Sequence, residues 1–324
     1  MPLTARRRRA VGRLAIIAAT AIASLAGTTA AASAAPTYDD YVALGDSWTA
    51  DVVLLGPPTG QYVTAGCVQS SRNYPKLVAA ALDVPSFFDA SCGGAESDHF
   101  AEPQAAPLGG TNAPQLSHLT KNTDLVTIGI GGNDIGLATA LVGCINLLPS
   151  LTVVPGVTLP APLGGSCKAK FTADGIDQIS ENIKAEEPKI LERVRAVKPL
   201  VAPDAQIFMV NYMQGLPKAG CWPYVQVNNE DMPWLYDKLN ELNAMVARIA
   251  RKAGYQLIDT WKPTAGHDMC QSPLVRYVEG VLPVSLNGPA IAVPFHPNSA
   301  GAEAQAQIVL KAVRSASAQP DADS

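Results

Sequence analysis

DYVALGDSW, residues 40–48, is the stretch that decides the fold. Its first six residues form a short, continuous apolar run, which is typical of a strand buried on both faces. Gly45, Asp46 and Ser47 then end the run, and residues of these types are common in turns. Two interpretations follow: an ordinary turn, or a serine hydroxyl held at the end of a buried strand.

Four more apolar runs have the same character, at residues 86–90, 124–131, 205–212 and 255–260. Helical patterns lie between and after them, at residues 74–83, 175–198, 233–254 and 299–316. Strands that alternate with helices predict an α/β fold with three layers, α/β/α, around a central, mainly parallel five-stranded sheet. Ligands bind such sheets at the carboxyl ends of the strands, which is where Ser47 is expected to lie.

The first 35 residues predict a secretory signal peptide rather than a part of the fold. An arginine-rich start precedes a short apolar core, and residues 32–34 (ASA) form a small-residue cleavage site. The apolar run is shorter than the roughly 20 residues that span a bilayer, so we expect no stable membrane insertion. We therefore expect a secreted protein with one domain at 36–315 and a disordered tail at 316–324.

Removing the signal peptide makes the chain more acidic. Five of the 24 basic residues and none of the 28 acidic residues lie in it, so the remainder has a net charge near −9. This charge argues against nucleic acid, and against an anionic membrane surface, as a partner bound by electrostatic attraction.

All six cysteines follow the signal peptide: Cys67, Cys92, Cys144, Cys167, Cys221 and Cys270. An even number in an exported chain indicates three disulfides, although six cysteines permit 15 pairings. A metal site is the alternative interpretation. It is disfavoured because the chain has no C-x-x-C pair and its histidines lack the spacing of metal ligands.

A serine nucleophile needs a general base, and the chain offers four histidines. The surroundings of His99 favour a solvated side chain, and those of His118 a solvated or capping one. His267 is ambiguous between lining a groove and bracing a loop. His296 differs because it precedes a predicted helix in VPFHPNSAG (293–301), and the positive end of a helix dipole favours a neutral imidazole. His296 is therefore the candidate base.

Two glycine-rich turns offer candidate donors to an oxyanion. SCGGAES (91–97) follows the second predicted strand, and GIGGND (129–134) follows the third. Glycine lets a backbone N–H approach a ligand closely, and the amide of Asn133 can donate beside it. Each turn alone is ordinary. Together with Ser47 they would surround one crevice at the ends of the first three strands.

Four motifs occur in the order found in a known family: GDS (45–47), CGGA with its glycine at 94, GGND (131–134) and HPN (296–298). This ordered set resembles the SGNH (GDSL-type) hydrolases, over nearly the whole mature chain. The similarity is strongest to secreted actinobacterial esterases and lipases with three disulfides. The resemblance implies a flavodoxin-like SGNH fold and the hydrolysis of carboxylic esters.

The resemblance also assigns roles to individual residues. It implies Ser47 as nucleophile and His296 as general base. It implies an oxyanion hole made by the Ser47 N–H, the Gly94 N–H and the side chain of Asn133. The disulfide pairs that it implies are Cys67–Cys92, Cys144–Cys167 and Cys221–Cys270.

The chain departs from the family pattern just before His296 and just after Ser47. Many relatives carry an aspartate three residues before the histidine, where this chain has Val293. A backbone carbonyl takes the place of that aspartate in the most similar subgroup. We therefore expect the Val293 carbonyl to accept the ring N–H of His296, which leaves a Ser–His dyad. At position 48, where this chain has Trp, relatives tend to have a small residue or Tyr. At position 51, where this chain has Asp, they tend to have Gly. We expect Trp48 to shape the acyl site.

The expectation is a monomeric esterase or lipase that forms an acyl-serine intermediate, with no metal and no organic cofactor. Its partner would be a small-molecule or lipid acyl ester, and apolar loops at 141–168 and 278–295 favour lipid-like acyl chains. A carbohydrate O-deacetylase on the same fold and a non-catalytic extracellular binding protein stay open as alternatives. An α/β-hydrolase is disfavoured because the G-x-S-x-G motif is absent from the sequence.

Overall fold

The computed structural model describes residues 37–55, 59–147, 151–154, 157–159, 166–285 and 290–316. The described residues belong to one compact unit. Two sequence expectations lie outside them: the signal peptide at 1–35 and the tail beyond residue 316.

Eleven strands lie in the described part of the chain. In chain order they are β1 (Asp40–Gly45), β2 (Val53–Leu55), β3 (Ser86–Asp89), β4 (Gln104–Ala105), β5 (Thr111–Asn112), β6 (Leu125–Gly129), β7 (Leu151–Val154), β8 (Val157–Leu159), β9 (Gln206–Val210), β10 (Gln256–Ile258) and β11 (Ile291–Ala292).

Seven α-helices accompany these strands within the same residues. They are α1 (Ser47–Ala50), α2 (Tyr74–Leu82), α3 (Leu137–Gly143), α4 (Cys167–Phe171), α5 (Gln178–Arg195), α6 (Asp231–Ala253) and α7 (Ser299–Ala316). Short 3₁₀ helices cover residues 65–67, 97–100, 115–118, 173–175 and 198–200. No helix in the described ranges combines the length and the apolar character needed to cross a bilayer.

Five of the strands form the central sheet, in the order β10-β9-β6-β1-β3, and every neighbouring pair is parallel. The predicted five-stranded parallel sheet is therefore confirmed. The chain passes from β1 to β3 on one side and then to β6 on the other, so the strand order reverses at β1. Ser47 directly follows the carboxyl end of β1, at the type of position where α/β sheets bind ligands.

Side chains of β1 alternate between two hydrophobic cores. Val42 and Leu44 pack in the core that contains buried residues of α5 and α6. Tyr41 and Ala43 point to the other face and pack in the core that contains α2 and α7. Both faces of the sheet are thus covered, which explains why its strands are continuous apolar runs rather than alternating ones.

The longest helix, α6, shows how the sequence pattern determines the packing. Its apolar residues at three- and four-residue steps are fully buried: Leu235, Leu239, Leu242, Val246 and Ile249. The helix ends at Gly254, which adopts φ +75° and caps the last turn. Glycine adopts this left-handed conformation without strain, so the predicted stop is confirmed.

Three disulfides join Cys67 to Cys92, Cys144 to Cys167, and Cys221 to Cys270, the pairs that the resemblance implies. The first fastens a loop to the turn after β3, and the second joins the end of α3 to the start of α4. The bonded cysteines are 25, 23 and 49 positions apart. By restricting the unfolded chain, bridges of this span each add about 3 to 4 kcal/mol of stability.

Candidate active site

Ser47 is the first residue of α1 and is largely buried. Asp46 caps the helix: its backbone is extended, and its Oδ1 accepts the Trp48 N–H at 2.9 Å. The first N–H groups of a helix have no partner within it, so the Ser47 N–H is available as a donor. The end of β1 is therefore both a turn and the start of a short helix that presents a hydroxyl.

Gly45 is held tightly before the serine. Its N–H donates to Gln115 Oε1 at 2.8 Å, and its carbonyl accepts from Gln115 Nε2 at 3.0 Å and from the Cys92 N–H at 3.2 Å. A Cβ at Gly45 would lie 2.3 Å from Thr49 Oγ1. Only glycine fits there, because a larger residue would displace the start of α1.

Two of the three residues that depart from the family pattern, Trp48 and Asp51, lie in or beside α1. Trp48 packs edge-to-face on Tyr212, with ring centroids 5.5 Å apart, and its own ring is 6.3 Å from that of His296. Asp51 ends the helix at φ +49°, a left-handed conformation that glycine adopts readily and aspartate tolerates.

His296 lies between β11 and α7 and reaches the serine across 249 positions of sequence. Its Nε2 is 2.7 Å from Ser47 Oγ. Its Nδ1 is 2.9 Å from the carbonyl oxygen of Pro294, which can only accept a hydrogen bond. Nδ1 therefore carries the proton, and Nε2 is the lone-pair nitrogen that accepts from the serine hydroxyl.

The prediction that Val293 supplies the orienting carbonyl is wrong by one residue. The Val293 carbonyl instead accepts the backbone N–H of His296 at 3.1 Å. Phe295 adopts φ +65°, so the chain turns sharply there and brings the Pro294 carbonyl to the ring. Within the described residues, no carboxylate hydrogen-bonds to the imidazole.

The surroundings of His296 keep its ring neutral. Burial lowers the pKa of His296 from 6.5 to about 4, and the hydrogen bond to Pro294 raises it only in part. A neutral imidazole at pH 7 is the form that can take a proton from a serine.

A buried ion pair holds the loop that carries His296. Arg276 and Glu279 pair through Nη2 and Oε2, and both side chains are almost completely buried. The Glu279 N–H donates to the His296 carbonyl at 2.9 Å, and the Glu279 carbonyl accepts the Phe295 N–H at 3.1 Å. Asn298 Nδ2 also donates to Glu279 Oε1 at 3.0 Å. These contacts fix both sides of the unusual Phe295 conformation.

Two hydrogen bonds join the glycine-rich turns on the opposite side of the serine. Asn133 Nδ2 donates to the Ala95 carbonyl at 2.8 Å, and the Ser97 N–H donates to Asp134 Oδ1 at 2.9 Å. Asn133 has a second amide N–H that is not used in this bond. Gly94, next to Ala95, adopts φ +71°, and its N–H has no acceptor among the described residues.

Tyr212 connects the nucleophile turn to the turn that carries Asn133. Its hydroxyl donates to Asp46 Oδ2 and accepts the Gly132 N–H at 2.8 Å. The amide of Asn243 holds the Tyr212 backbone through both N–H and C=O, at 2.9 and 2.8 Å. Burial raises the pKa of Asp46 to about 7, although hydrogen bonds from Tyr212 and Trp48 act in the opposite direction.

A cavity of about 230 Å³ opens beside these groups. Ser47, Asn133 and His296 line it, while Gly94 lies in the adjoining turn. Most of the wall is apolar, with Leu137, Leu216, Leu239 and Leu242 among its residues. The two apolar loops noted in the sequence both contribute: Leu141, Val142, Ile145, Val293, Pro294 and Phe295.

The other three histidines lie outside this cavity. His99 accepts a backbone N–H and caps a 3₁₀ helix. His118 is the last residue of a 3₁₀ helix and is half-buried, because it stacks on Phe88 with ring centroids 3.8 Å apart. His267 braces its loop through the Val275 carbonyl, 2.6 Å from Nδ1. In the part of the chain that the structure describes, no group of three or more His, Cys, Asp or Glu side chains is arranged to hold a metal ion.

The comparison with known proteins identifies the family. The sequence profile of the GDSL-like lipase/acylhydrolase family matches residues 43–304. The chain belongs to this family. The GDSL-type resemblance is therefore confirmed, and the chain is a carboxylic ester hydrolase rather than a non-catalytic binding protein.

Relatives of this GDSL-family hydrolase match it over nearly their whole length. Lipase 2 of Streptomyces coelicolor is 30% identical over 312 residues, which cover 95% of this chain and 97% of the relative. An esterase of Streptomyces scabiei is 30% identical over 331 residues, which cover 94% of this chain and 93% of the relative.

Two solved structures share the fold. Phospholipase A1 from Streptomyces albidoflavus has a TM-score of 0.62 at 23% identity, over 85% of this chain and 99% of that one. The extracellular lipase from Streptomyces rimosus has a TM-score of 0.57 at 25% identity, over 86% of this chain and 99% of that one.

Several supporting residues were not found from the sequence. Tyr212 is the last residue of the run predicted as a strand at 205–212, so its place at the carboxyl end of the sheet was a usable signal. Arg276 and Glu279 stand out as charges beside an apolar loop, which is a signal for a buried pair. Nothing local in the sequence marks Asn243, because its contacts with Tyr212 form only in the fold.

Proposed function

We propose that this chain is a secreted, monomeric lipase or esterase whose Ser47–His296 dyad forms an acyl-serine intermediate. The observation that carries the proposal is the 2.7 Å contact between His296 Nε2 and Ser47 Oγ beside an apolar cavity. A serine hydroxyl is a weak nucleophile by itself, and a neutral imidazole within hydrogen-bond reach activates it.

In the acylation step, Ser47 Oγ attacks the ester carbonyl carbon while its proton moves to His296 Nε2. The electron pair of the C=O bond moves onto its oxygen. The N–H groups of Ser47 and Gly94 and the amide of Asn133 donate to this oxyanion. When the intermediate collapses, the C–O bond to the leaving alcohol breaks, and the alcohol takes the proton from His296.

Deacylation repeats these steps with water. Water attacks the carbonyl carbon of the acyl-serine while His296 accepts its proton, and the oxyanion forms again at the same donors. Collapse then breaks the bond to Ser47 Oγ, which takes the proton back. The fatty acid leaves, and the enzyme is restored.

The Pro294 carbonyl performs one of the two functions of a triad aspartate, which is to orient the histidine ring. Its hydrogen bond fixes the tautomer, so that Nε2 faces the serine. A neutral carbonyl stabilises the imidazolium less than a carboxylate would. The low pKa of His296 is consistent with this arrangement, because no carboxylate in the described part of the chain hydrogen-bonds to the ring and favours its charged form.

The cavity favours an acyl chain of several carbons over an acetyl group. Its wall is mainly apolar, and burial of each methylene contributes about 0.8 kcal/mol to binding. A sugar placed there would lose the hydrogen bonds that its hydroxyl groups make with water. The names lipase and esterase of the relatives agree with this preference. We therefore favour a lipid-like acyl ester over an acetylated carbohydrate.

Three features support secretion. The first 35 residues have the pattern of a signal peptide. Three disulfides are typical of proteins outside the reducing cytosol. The lipase from Streptomyces rimosus, 25% identical, is described as extracellular. Expression in an actinobacterial host should yield protein in the medium that lacks about 35 N-terminal residues, as measured by intact mass.

A series of aryl esters from acetyl to long acyl, assayed beside acetylated sugars, tests the substrate class. We expect kcat/KM to rise from acetyl to medium acyl chains, with little activity on the sugars. Ser47→Ala should lower the turnover of each ester by roughly 10⁴-fold. Preference for acetylated sugars would favour the deacetylase instead.

A further inference from the structure

Gln104 lies in β4, outside the cavity, and only 2% of it is exposed. Its Nε2 donates to the carbonyl oxygen of Gly93 at 2.7 Å. Its Oε1 is buried and has no hydrogen-bond partner within the described residues. A buried acceptor without a partner is destabilising, so the Oε1 of Gln104 lowers the stability of the fold.

The carbonyl that Gln104 contacts belongs to the peptide group between Gly93 and Gly94. In a trans peptide the C=O and the N–H point in opposite directions. Gln104 therefore directs the Gly94 N–H away from itself, and that N–H has no acceptor among the described residues. The Gly93 N–H is separately fixed to the Cys67 carbonyl at 3.0 Å. That N–H belongs to the preceding peptide group, so the residue before the Gly93–Gly94 peptide is held as well, while Gln104 holds the peptide itself.

We infer that Gln104 is a positioning residue for the oxyanion hole, acting through the Gly93–Gly94 peptide. Its hydrogen bond keeps the Gly94 N–H aimed at the developing oxyanion. It also polarises the peptide, which makes that N–H a stronger donor. The inference rests on the proposed role of Gly94 in the oxyanion hole. Gln104 touches neither substrate nor Ser47.

Removing the amide of Gln104 should lower activity without lowering stability. Gln104→Leu leaves the Gly93 carbonyl unpaired but also removes the unpaired Oε1, so the two effects on stability offset each other. A residue with a structural role alone would lower stability and leave the chemistry of folded enzyme unchanged. Gln104→Leu should keep the melting temperature and KM while kcat falls about tenfold, less than for the loss of a whole donor.

Gln104→Glu provides a second readout, because the glutamate side chain has nearly the same shape as glutamine. An ionised carboxylate cannot donate to the Gly93 carbonyl, whereas a protonated carboxyl can. The kcat of this variant relative to wild type should therefore rise as the pH is lowered and the carboxyl takes up a proton. Thr111→Ala, an exposed position in the paired strand β5, is the matched control and should behave as wild type.

The deciding experiment measures kcat and KM of Gln104→Leu, Gln104→Glu, Thr111→Ala and Asn133→Ala on one medium-chain aryl ester. It adds the inhibition constant of a trifluoromethyl ketone, which Ser47 converts into an anionic hemiketal. We expect that constant to rise for Gln104→Leu in step with the fall in kcat.

Three results would overturn the inference, and they have different meanings. Wild-type kcat in Gln104→Leu, with a loss of about 10²-fold or more in Asn133→Ala, would overturn the inference and leave the oxyanion hole standing. Wild-type kcat in Asn133→Ala as well would overturn the oxyanion hole, and the inference with it. A fall in kcat of Gln104→Leu that is accompanied by a fall in its melting temperature, with no pH effect on kcat in Gln104→Glu, would also overturn the inference.

Discussion

The carbonyl oxygen of Pro294 accepts the Nδ1 proton of His296 at 2.9 Å, in the position that a catalytic triad gives to a carboxylate. A main-chain group can orient a ring, but it adds no negative charge beside it. The proposed base is therefore fixed in direction by the backbone and kept neutral by its apolar surroundings. Both properties have measurable consequences.

The first consequence concerns Val293, the residue at the position of the family's aspartate. Val293→Ala keeps every main-chain hydrogen bond around His296, since the orienting carbonyl belongs to Pro294. We expect kcat on a short aryl ester to stay within about threefold of wild type, because the tautomer is retained. Steady-state kinetics at pH 7 check this. A loss of 100-fold would show that the side chain at 293 has a direct role.

The pH dependence of kcat/KM should report the low pKa of His296. The active form is neutral, so activity should be constant near neutral pH and fall tenfold per unit below about pH 4. Rates should be measured between pH 3 and 8, with circular dichroism at each pH to verify folding. An acid limb near pH 6.5 would contradict the account.

The same shift affects stability. The unfolded chain binds a proton to His296 at pH 6.5, whereas the folded chain resists protonation until about pH 4. The contribution of His296 to stability is therefore complete above pH 6.5 and is lost as the pH falls towards 4. Asp46, whose pKa is raised to about 7, acts in the opposite direction between pH 7 and 4. His296→Ala should consequently lose less stability than wild type on acidification.

Tyr212→Phe should weaken both the fold and the reaction. It removes the oxygen that joins Asp46 to Gly132, and it leaves a buried carboxylate oxygen and a buried N–H without that partner. We expect a loss of about 1 to 3 kcal/mol in the free energy of unfolding, together with a lower kcat. Urea denaturation and kinetics measure the two effects. Tyr236→Phe is the control, because its hydroxyl has only a 3.4 Å contact with Gln214; equal effects would refute the assignment.

The Arg276–Glu279 pair should be important because it is buried. Removing one partner, as in Glu279→Ala, leaves an uncompensated charge and should cost about 3 to 5 kcal/mol of stability. Lys184→Ala breaks an exposed pair with Glu181 and should cost about 0.5 kcal/mol or less. Denaturant titration of both variants checks this contrast. Similar values for the two would show that the buried pair does not hold the His296 loop.

The sequence predicted the sheet well because its three inner strands, β1, β6 and β9, are buried on both faces. β1 and β6 are short, continuous apolar runs, which predict buried strands. In α6 the apolar residues recur every three or four positions, which predicts a helix with one buried face. The contact between Ser47 and His296 was expected only because four short motifs resembled a family in their order. No local pattern places residues 249 positions apart beside each other.

The errors have a local physical cause. Val293 was chosen by counting residues back from the histidine, but Phe295 adopts φ +65°, which a bulky residue rarely does. That turn moves the next carbonyl, from Pro294, to the ring. His118 was expected to be solvated or capping, and the local sequence did not show that Phe88 of β3 stacks on it and leaves it half-buried. Gln104 gave no signal, since its partner is a main-chain carbonyl in another turn.

The central claim is that Ser47 and His296 act as one unit. It is tested most directly by kcat of Ser47→Ala, His296→Ala and the double variant on one medium-chain aryl ester, with melting temperatures to verify folding. We predict that each single variant loses roughly 10⁴-fold or more and that the double variant is no slower than the singles. Wild-type turnover in Ser47→Ala, or losses that multiply in the double variant, would contradict the account.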